Sequence, residues 1–239
     1  CDSIHILSTL EEMGLKPRKN FTKSSPSPQQ VNQLRREREA REQQQIKDYE
    51  NAAKIASTTW KNSIDIIHHP YLTEKNVSPL GVRQHNGYLI IPLYDVNGKI
   101  WTYQIINPDK NADKRKKFLF GGDTKGHFYQ IGELTKTFFI AEGFSTAASV
   151  HLHYKRACFV AFSCHNLTPV AKNLKAKYPD HKIIIAADND TKSPTNAGLT
   201  HGRQAAKAIK GELIYPVFEK EAKTGTDFND YFNGENYEY

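Results

Sequence analysis

The sequence is poor in sulfur and has no long apolar stretch. Its 239 residues include 3 cysteines and 1 methionine. The cysteines, Cys1, Cys158 and Cys164, are odd in number and follow no paired spacing, which suits a reducing compartment better than a disulfide scaffold. No apolar run approaches the roughly 20 residues that a membrane span needs, and we find no signal-peptide pattern. We therefore expect a cytoplasmic protein without a membrane partner.

The charge balance is positive. Lysine and arginine number 33, aspartate and glutamate number 26, and the formal net charge is +7. Such an excess suits a polyanionic partner, although many basic proteins bind none.

Composition divides the chain into five segments. Residues 1–15 resemble a short amphipathic helix, and residues 16–29, rich in Pro, Ser and Lys, are typical of a linker. Residues 30–62 contain neither Pro nor Gly and alternate Glu with Arg, which predicts a charged helix with a solvated face. Residues 63–134 predict a small α+β lobe, and residues 135–239 predict a separate α/β domain.

Two patterns support these last two segments. In the lobe, two β-type runs flank Asn97-Gly98, which is a strong hairpin signal. After the lobe, short apolar strands alternate with amphipathic helices, which predicts a mainly parallel sheet with flanking helices. The predicted strands are 137–141, 158–162, 182–187 and 212–217, and the predicted helices are 145–154, 169–177 and 199–210.

Carboxylates follow the ends of these strands. In an open α/β sheet, ligands bind at the carboxyl ends of the strands, so we expect these carboxylates to share one rim. Such a cluster repels itself unless a hard divalent cation such as Mg²⁺ or Mn²⁺ is bound. Taken singly, Asp190 also suits a helix cap, and Asp227 or Asp230 an Asx-turn. The candidates are Glu142, Asp188, Asp190, Asp227 and Asp230.

Glu142-Gly143 after the first strand and Asp188-Asn189-Asp190 after the third resemble the Toprim domain, a Rossmann-like fold. Residues 69–132 look like the lobe that precedes Toprim in primases of conjugative plasmids, phages and their satellites. The resemblance covers residues 60–232 and continues through the motifs His165-Asn166-Leu167-Thr168-Pro169-Val170, Asn196-Ala197-Gly198 and Thr226-Asp227-Phe228-Asn229-Asp230. In one departure, Asn229 stands where the chromosomal primases usually carry a second aspartate.

The resemblance implies a DNA primase core, which synthesises short RNA primers on a single-stranded DNA template from nucleoside triphosphates. It implies a replicative helicase as partner, fused or separate. Asp188 and Asp190 would be catalytic metal ligands. Glu142 would be a further metal ligand, or would position a metal-bound water and accept the 3′-hydroxyl proton. Asp227 and Asp230 would extend the metal site toward the triphosphate. His165 would contact a nucleotide phosphate, or be a plain loop histidine. The nucleic-acid and nucleotide candidates are Arg83, Lys114, Arg115, Lys116, Lys117, His165 and Asn166.

The resemblance also bears on the start of the chain. Because the sequence opens at Cys1 and its single methionine is Met13, we expect a fragment of a longer protein. In these primases a zinc ribbon often precedes the core, and Cys1 would be its remnant. A zinc site needs about four ligands, so we expect no structural zinc here.

Two other functions remain open. A Toprim nuclease would use the same carboxylates with water as the nucleophile. A catalytically inactive Toprim module would act as a nucleic-acid-binding adaptor in replication. Incubation with a single-stranded template, ribonucleotides and Mg²⁺ separates the three, because it yields new oligonucleotides, a shortened template, or binding alone.

Overall fold

The computed structural model describes residues 27–218 and 225–234. The chain divides into two compact units, residues 1–44 and 45–239. The predicted helix over 1–15 and most of the predicted linker lie outside the described residues. The five-segment division stays a prediction.

Helix α1 (Pro28–Lys61) is the long charged helix. Its first half is exposed and carries ion pairs one turn apart, Arg35 with Glu39 at 3.1 Å and Arg38 with Glu42 at 2.8 Å. Exposed pairs of this kind contribute little to stability, because solvent screens them. The buried residues of the helix are Ala52, Ala53 and Ala56.

A first sheet follows, with five antiparallel strands in the order β1-β2-β3-β4-β5. Strands β3 and β4 form the hairpin predicted around Asn97-Gly98, which is thereby confirmed. Gly98 has φ 86°, a left-handed conformation that favours glycine. The strands are β1 (Ile64–Asp65), β2 (Arg83–His85), β3 (Tyr88–Tyr94), β4 (Ile100–Ile106) and β5 (Lys116–Phe118), and the short helix α2 (Pro70–Glu74) lies between β1 and β2.

The second sheet has the order β10-β9-β7-β8-β6. Strands β7, β8, β9 and β10 are parallel, as predicted, and β6 pairs antiparallel with β8. The strands are β6 (Tyr129–Ile131), β7 (Thr137–Ala141), β8 (Cys158–Val160), β9 (Lys182–Ala186) and β10 (Glu212–Ile214). The helices are α3 (Phe144–Tyr154), α4 (Cys164–Lys177), α5 (Ala197–Ile209) and α6 (Phe228–Asn233).

Two sequence expectations were wrong around β8. The strand ends at Val160, two residues early, and Phe162 has φ 69°, a left-handed conformation that is uncommon for a bulky residue. Helix α4 begins at Cys164, five residues before the predicted start at Pro169. Pro169 therefore lies inside the helix, where it has no backbone N–H to donate to the preceding turn.

The two sheets share a core. One cluster of buried side chains joins Leu89 and Ile91 of the first sheet to Phe139 of the second and Phe144 of α3. Tyr94 and Phe128 also exchange backbone hydrogen bonds of 2.8 and 3.0 Å. This continuity fixes β5 relative to the carboxyl ends of the parallel strands. Within the part of the chain that the structure describes, no helix is long and apolar enough to span a membrane.

Candidate active site

Glu142 occupies the turn between β7 and α3. Its backbone carbonyl accepts a 2.7 Å hydrogen bond from the Phe162 amide, so the turn is tied to the end of β8. Burial raises the pKa of the Glu142 carboxyl, while the backbone N–H of Cys164 and the charge of Lys116 oppose that rise. The carboxyl is thus held partly out of water.

Asp188 follows β9 by two residues and is the most perturbed acid of the site. Burial raises its pKa to about 8, and the charges of Glu142 and Asp227 add to the rise. Its Oδ1 atom is buried and has no hydrogen-bond partner among the described residues. A buried, unpartnered carboxylate oxygen beside other carboxylates is what a hard divalent cation would satisfy.

The first turn of α5 packs directly on Asp188. A Cβ atom added to Gly198 would lie 3.0 Å from both the Cβ and the carbonyl oxygen of Asp188. A larger residue at position 198 would require the helix or Asp188 to shift by a few tenths of an ångström, so glycine favours this close approach.

Asp227 and Asp230 close the acidic site from α6. Asp227 caps this helix, since its Oδ1 accepts from the Asp230 amide at 2.9 Å and its Oδ2 from the Thr146 hydroxyl at 3.1 Å. Asp230 accepts from the Thr226 amide at 3.0 Å. These residues therefore have a local structural role at the helix start, and both charges also raise the pKa of Asp188.

Asp190 has a different environment. Its Oδ1 accepts from the backbone amides of Lys192 and Ser193 at 3.1 and 3.2 Å, which is an Asx-type turn. Its charge is not among the main ones that shift the pKa of Asp188. The structure thus gathers Glu142, Asp188, Asp227 and Asp230, while the metal role of Asp190 stays a prediction.

The structure places the residues of the predicted basic cluster in different environments. The positive charge of Lys116 opposes the pKa rise of both Glu142 and Asp188, so this lysine faces the acidic site. Arg115 instead pairs with Glu74 at 2.8 Å. Lys114 and Lys117 are exposed and have no ion-pair partner within the described ranges.

Arg83 is also engaged within the fold. Its NH1 donates to the Trp60 carbonyl at 3.2 Å, its guanidinium lies 4.6 Å from the Trp60 ring centre, and Asp65 pairs with it at 3.5 Å. These contacts join α1, β1 and β2. Its predicted contact with a template stays a prediction.

Comparison with known protein families identifies the domain that contains the acidic site. Residues 137–236 match the Toprim domain. This part of the chain is a Toprim domain. It contains all four gathered carboxylates. Toprim domains generally bind Mg²⁺, and the unpartnered Asp188 oxygen fits that use.

Two relatives extend the likeness beyond the Toprim domain. A DNA primase TraC of Escherichia coli is 32% identical over 197 residues, covering 75% of this chain and 18% of that protein. Another TraC of the same organism is 35% identical over 161 residues, covering 62% of this chain and 11% of that protein. The chain thus spans less than a fifth of these relatives. The resemblance to Toprim primases is confirmed.

The fold is also similar to that of a primase domain of known structure. The DnaG primase catalytic domain, solved bound to single-stranded DNA, superposes with a TM-score of 0.52 at 9% identity, covering 80% of this chain and 77% of that one. The expected α/β Toprim fold with a preceding lobe is therefore confirmed as a fold.

Asn166 holds the Toprim domain to the lobe. It is buried, its Oδ1 accepts from the Gly126 amide at 2.7 Å, and its amide nitrogen lies 2.8–3.1 Å from the carbonyls of Thr124, His127 and Ala161. These contacts give Asn166 a structural role between the two segments, and its expected contact with a nucleotide stays a prediction.

His165 lies in the first turn of α4 rather than in a loop. Its Nδ1 is 3.0 Å from the Nε2 of His201 on α5 and 3.7 Å from the Cys164 sulfur. Sequence reasoning missed His201, because 36 residues separate it from His165 and no motif links them. Its approach to His165 follows from the packing of α4 against α5 on the Toprim sheet.

Proposed function

We propose that this chain is the catalytic core of a DNA primase that joins ribonucleotides on single-stranded DNA with Mg²⁺ or Mn²⁺. The observation that carries the proposal is the buried, unpartnered Oδ1 of Asp188 beside three further carboxylates in a Toprim domain. The relatives named DNA primase TraC support primer synthesis as the reaction.

In primer synthesis, the 3′-hydroxyl oxygen attacks the α-phosphorus of a nucleoside triphosphate and the bond to pyrophosphate breaks. Asp188, Asp227 and Asp230 would hold the metal, and Asp190 is retained as a proposed further ligand. The bound metal supplies positive charge to the attacking and leaving oxygens. Glu142 would accept the 3′-hydroxyl proton, since burial raises its pKa toward the range in which a general base works best.

Lys116 faces the carboxylates and is exposed. We assign it to the triphosphate, because an ammonium group at the mouth of an acidic site binds phosphate oxygens without needing a fixed geometry. The helicase partner and the cytoplasmic location belong to the same proposal and rest on the resemblance.

The template would cross the exposed face that carries Lys114 and Lys117. Changing both to alanine should weaken binding of a single-stranded oligonucleotide. It should also reduce the slope of log affinity against log salt concentration, because about one to two fewer counterions are released on binding. Binding is measured by fluorescence anisotropy at several salt concentrations. The matched control is Lys136→Ala and Lys210→Ala together, since both are exposed lysines outside the lobe. An unchanged salt slope in the Lys114 and Lys117 variant would place the template elsewhere.

Phe120 is an exposed aromatic beside this basic strand. Its side chain is 99% exposed, whereas Tyr103 in the same sheet is 7% exposed and belongs to the core. Bases stack on exposed rings with about 1–3 kcal/mol per base. Phe120→Ala should therefore weaken single-strand binding roughly tenfold without lowering the melting temperature, with Phe120→Trp retaining the affinity. Equal affinity for the alanine and parent proteins would show that no base stacks there.

The test of the proposed function is synthesis itself. The protein is incubated with a single-stranded template, labelled ribonucleotides and Mg²⁺, and the products are separated by length. New short oligonucleotides support a primase. A shortened template would indicate a Toprim nuclease, and binding without products would indicate an adaptor, and either result would overturn the proposal.

A further inference from the structure

Three metal-ligating side chains meet beside the acidic site. Cys164 and His165 come from the first turn of α4, and His201 from α5. Their ligand atoms, one sulfur and two imidazole nitrogens, all lie within 4.8 Å of one another. Cys164 and His201 are half-buried and His165 is exposed, so a cation can reach them from solvent.

The distances suit tetrahedral coordination. With zinc bonds of about 2.0 Å to nitrogen and about 2.3 Å to sulfur, two nitrogens lie about 3.3 Å apart, and a nitrogen and a sulfur about 3.6 Å apart. The observed separations are 3.0 Å between the imidazole nitrogens and 3.7 Å between His165 and Cys164. These two separations lie within a few tenths of an ångström of the ideal values, and the third, between the Cys164 sulfur and His201, is at most 4.8 Å.

The donor types set the class of metal. Thiolate and imidazole prefer borderline cations such as Zn²⁺, whereas Mg²⁺ prefers oxygen ligands. The carboxylate oxygens around Asp188 therefore favour Mg²⁺, whereas the cluster of Cys164, His165 and His201 favours Zn²⁺. The cluster is also adjacent to the acidic site, because the backbone N–H of Cys164 donates to the Glu142 carboxylate.

We propose that Cys164, His165 and His201 bind one Zn²⁺ ion at a site distinct from the Mg²⁺ site of the Toprim domain. Three protein ligands leave the fourth position open to water or a substrate oxygen. The site differs from a four-ligand structural zinc site, because only three protein side chains would hold the ion. It does not depend on the proposed polymerase activity.

The full chain, freed of metal by a chelator, is titrated with Co²⁺ in excess Mg²⁺, and the visible spectrum is recorded. We expect one equivalent of Co²⁺ to bind with a thiolate charge-transfer band, and Zn²⁺ to displace it. Cys164→Ser should remove the band. His165→Ala and His201→Ala should each weaken binding at least about 100-fold, since even the groups that orient zinc ligands contribute about 10–100-fold.

Matched controls keep the test specific. His68→Ala removes an exposed imidazole outside the cluster, and Cys1→Ser removes another thiol, and both variants should retain the band. The melting temperature of each metal-free variant shows whether it is folded. If His201→Ala does not fold, the variant His165→Ala still tests the site, because His165 is exposed. Absence of the band, its survival in Cys164→Ser, or displacement by Mg²⁺ would overturn the proposal and leave a hydrogen-bonded surface cluster.

Discussion

Asp188→Asn should reduce primer synthesis by at least about 1000-fold while the protein stays folded. The change keeps the shape of the side chain and one oxygen but removes the charge that a divalent cation needs. Loss of a single group that stabilises developing charge typically costs about 10²–10³-fold. Here the metal itself would be lost, so the reduction in rate should reach or exceed the upper end of that range. The measurement is the rate of oligonucleotide synthesis on single-stranded DNA at saturating Mg²⁺.

The control for this experiment is Asp180→Asn. Asp180 is an exposed aspartate in the turn after α4, and its replacement should leave synthesis unchanged. Circular dichroism of both variants excludes loss of the fold. Normal synthesis by Asp188→Asn would contradict the metal-dependent mechanism, and so would an equal loss in both variants.

The same substitution should stabilise the protein in metal-free buffer. The pKa of Asp188 is about 8 in the folded protein and 3.8 in a reference peptide, so the folded state prefers the protonated form. Between these two values, rising pH ionises the unfolded chain first and destabilises the parent. The asparagine side chain of the variant cannot ionise, so its advantage should be absent below about pH 4 and complete above about pH 8.

The expected size of this effect is large for one side chain. Each tenfold change in proton affinity is about 1.4 kcal/mol. Allowing for partial solvation of the site, we expect a difference on the order of 3 kcal/mol near pH 9, or roughly 6–12 °C in melting temperature. Mg²⁺ should raise the melting temperature of the parent alone. A pH-independent difference would show that neither burial nor the neighbouring charges raise the pKa of Asp188 in the folded protein.

The sequence predicts much of this architecture because the relevant signals are local. The turn at Asn97-Gly98 and the alternation of apolar strands with helices depend on neighbouring residues. Glu142 and Asp188 follow directly, because a residue at the carboxyl end of a parallel strand lies at the rim whatever the loops do.

Features that depend on distant contacts were not predictable in the same way. A buried amide that ties two segments, as at Asn166, and an amide that binds a nucleotide have the same appearance in a sequence. The lysines of β5 look equivalent until the strand places Lys116 toward the carboxylates. The meeting of His165 with His201 requires the packing of two helices, which no local pattern records.

Asn229 bears on how this site can evolve. Its amide donates to the Lys75 carbonyl at 2.7 Å and to the Ser149 hydroxyl at 2.9 Å, and its side chain is buried. An aspartate here would place a carboxylate oxygen against the Lys75 carbonyl, which has no proton to offer. A single substitution toward the acidic form would therefore weaken the protein before any benefit to the metal site appeared. An aspartate at position 229 would therefore need accompanying changes at its neighbours.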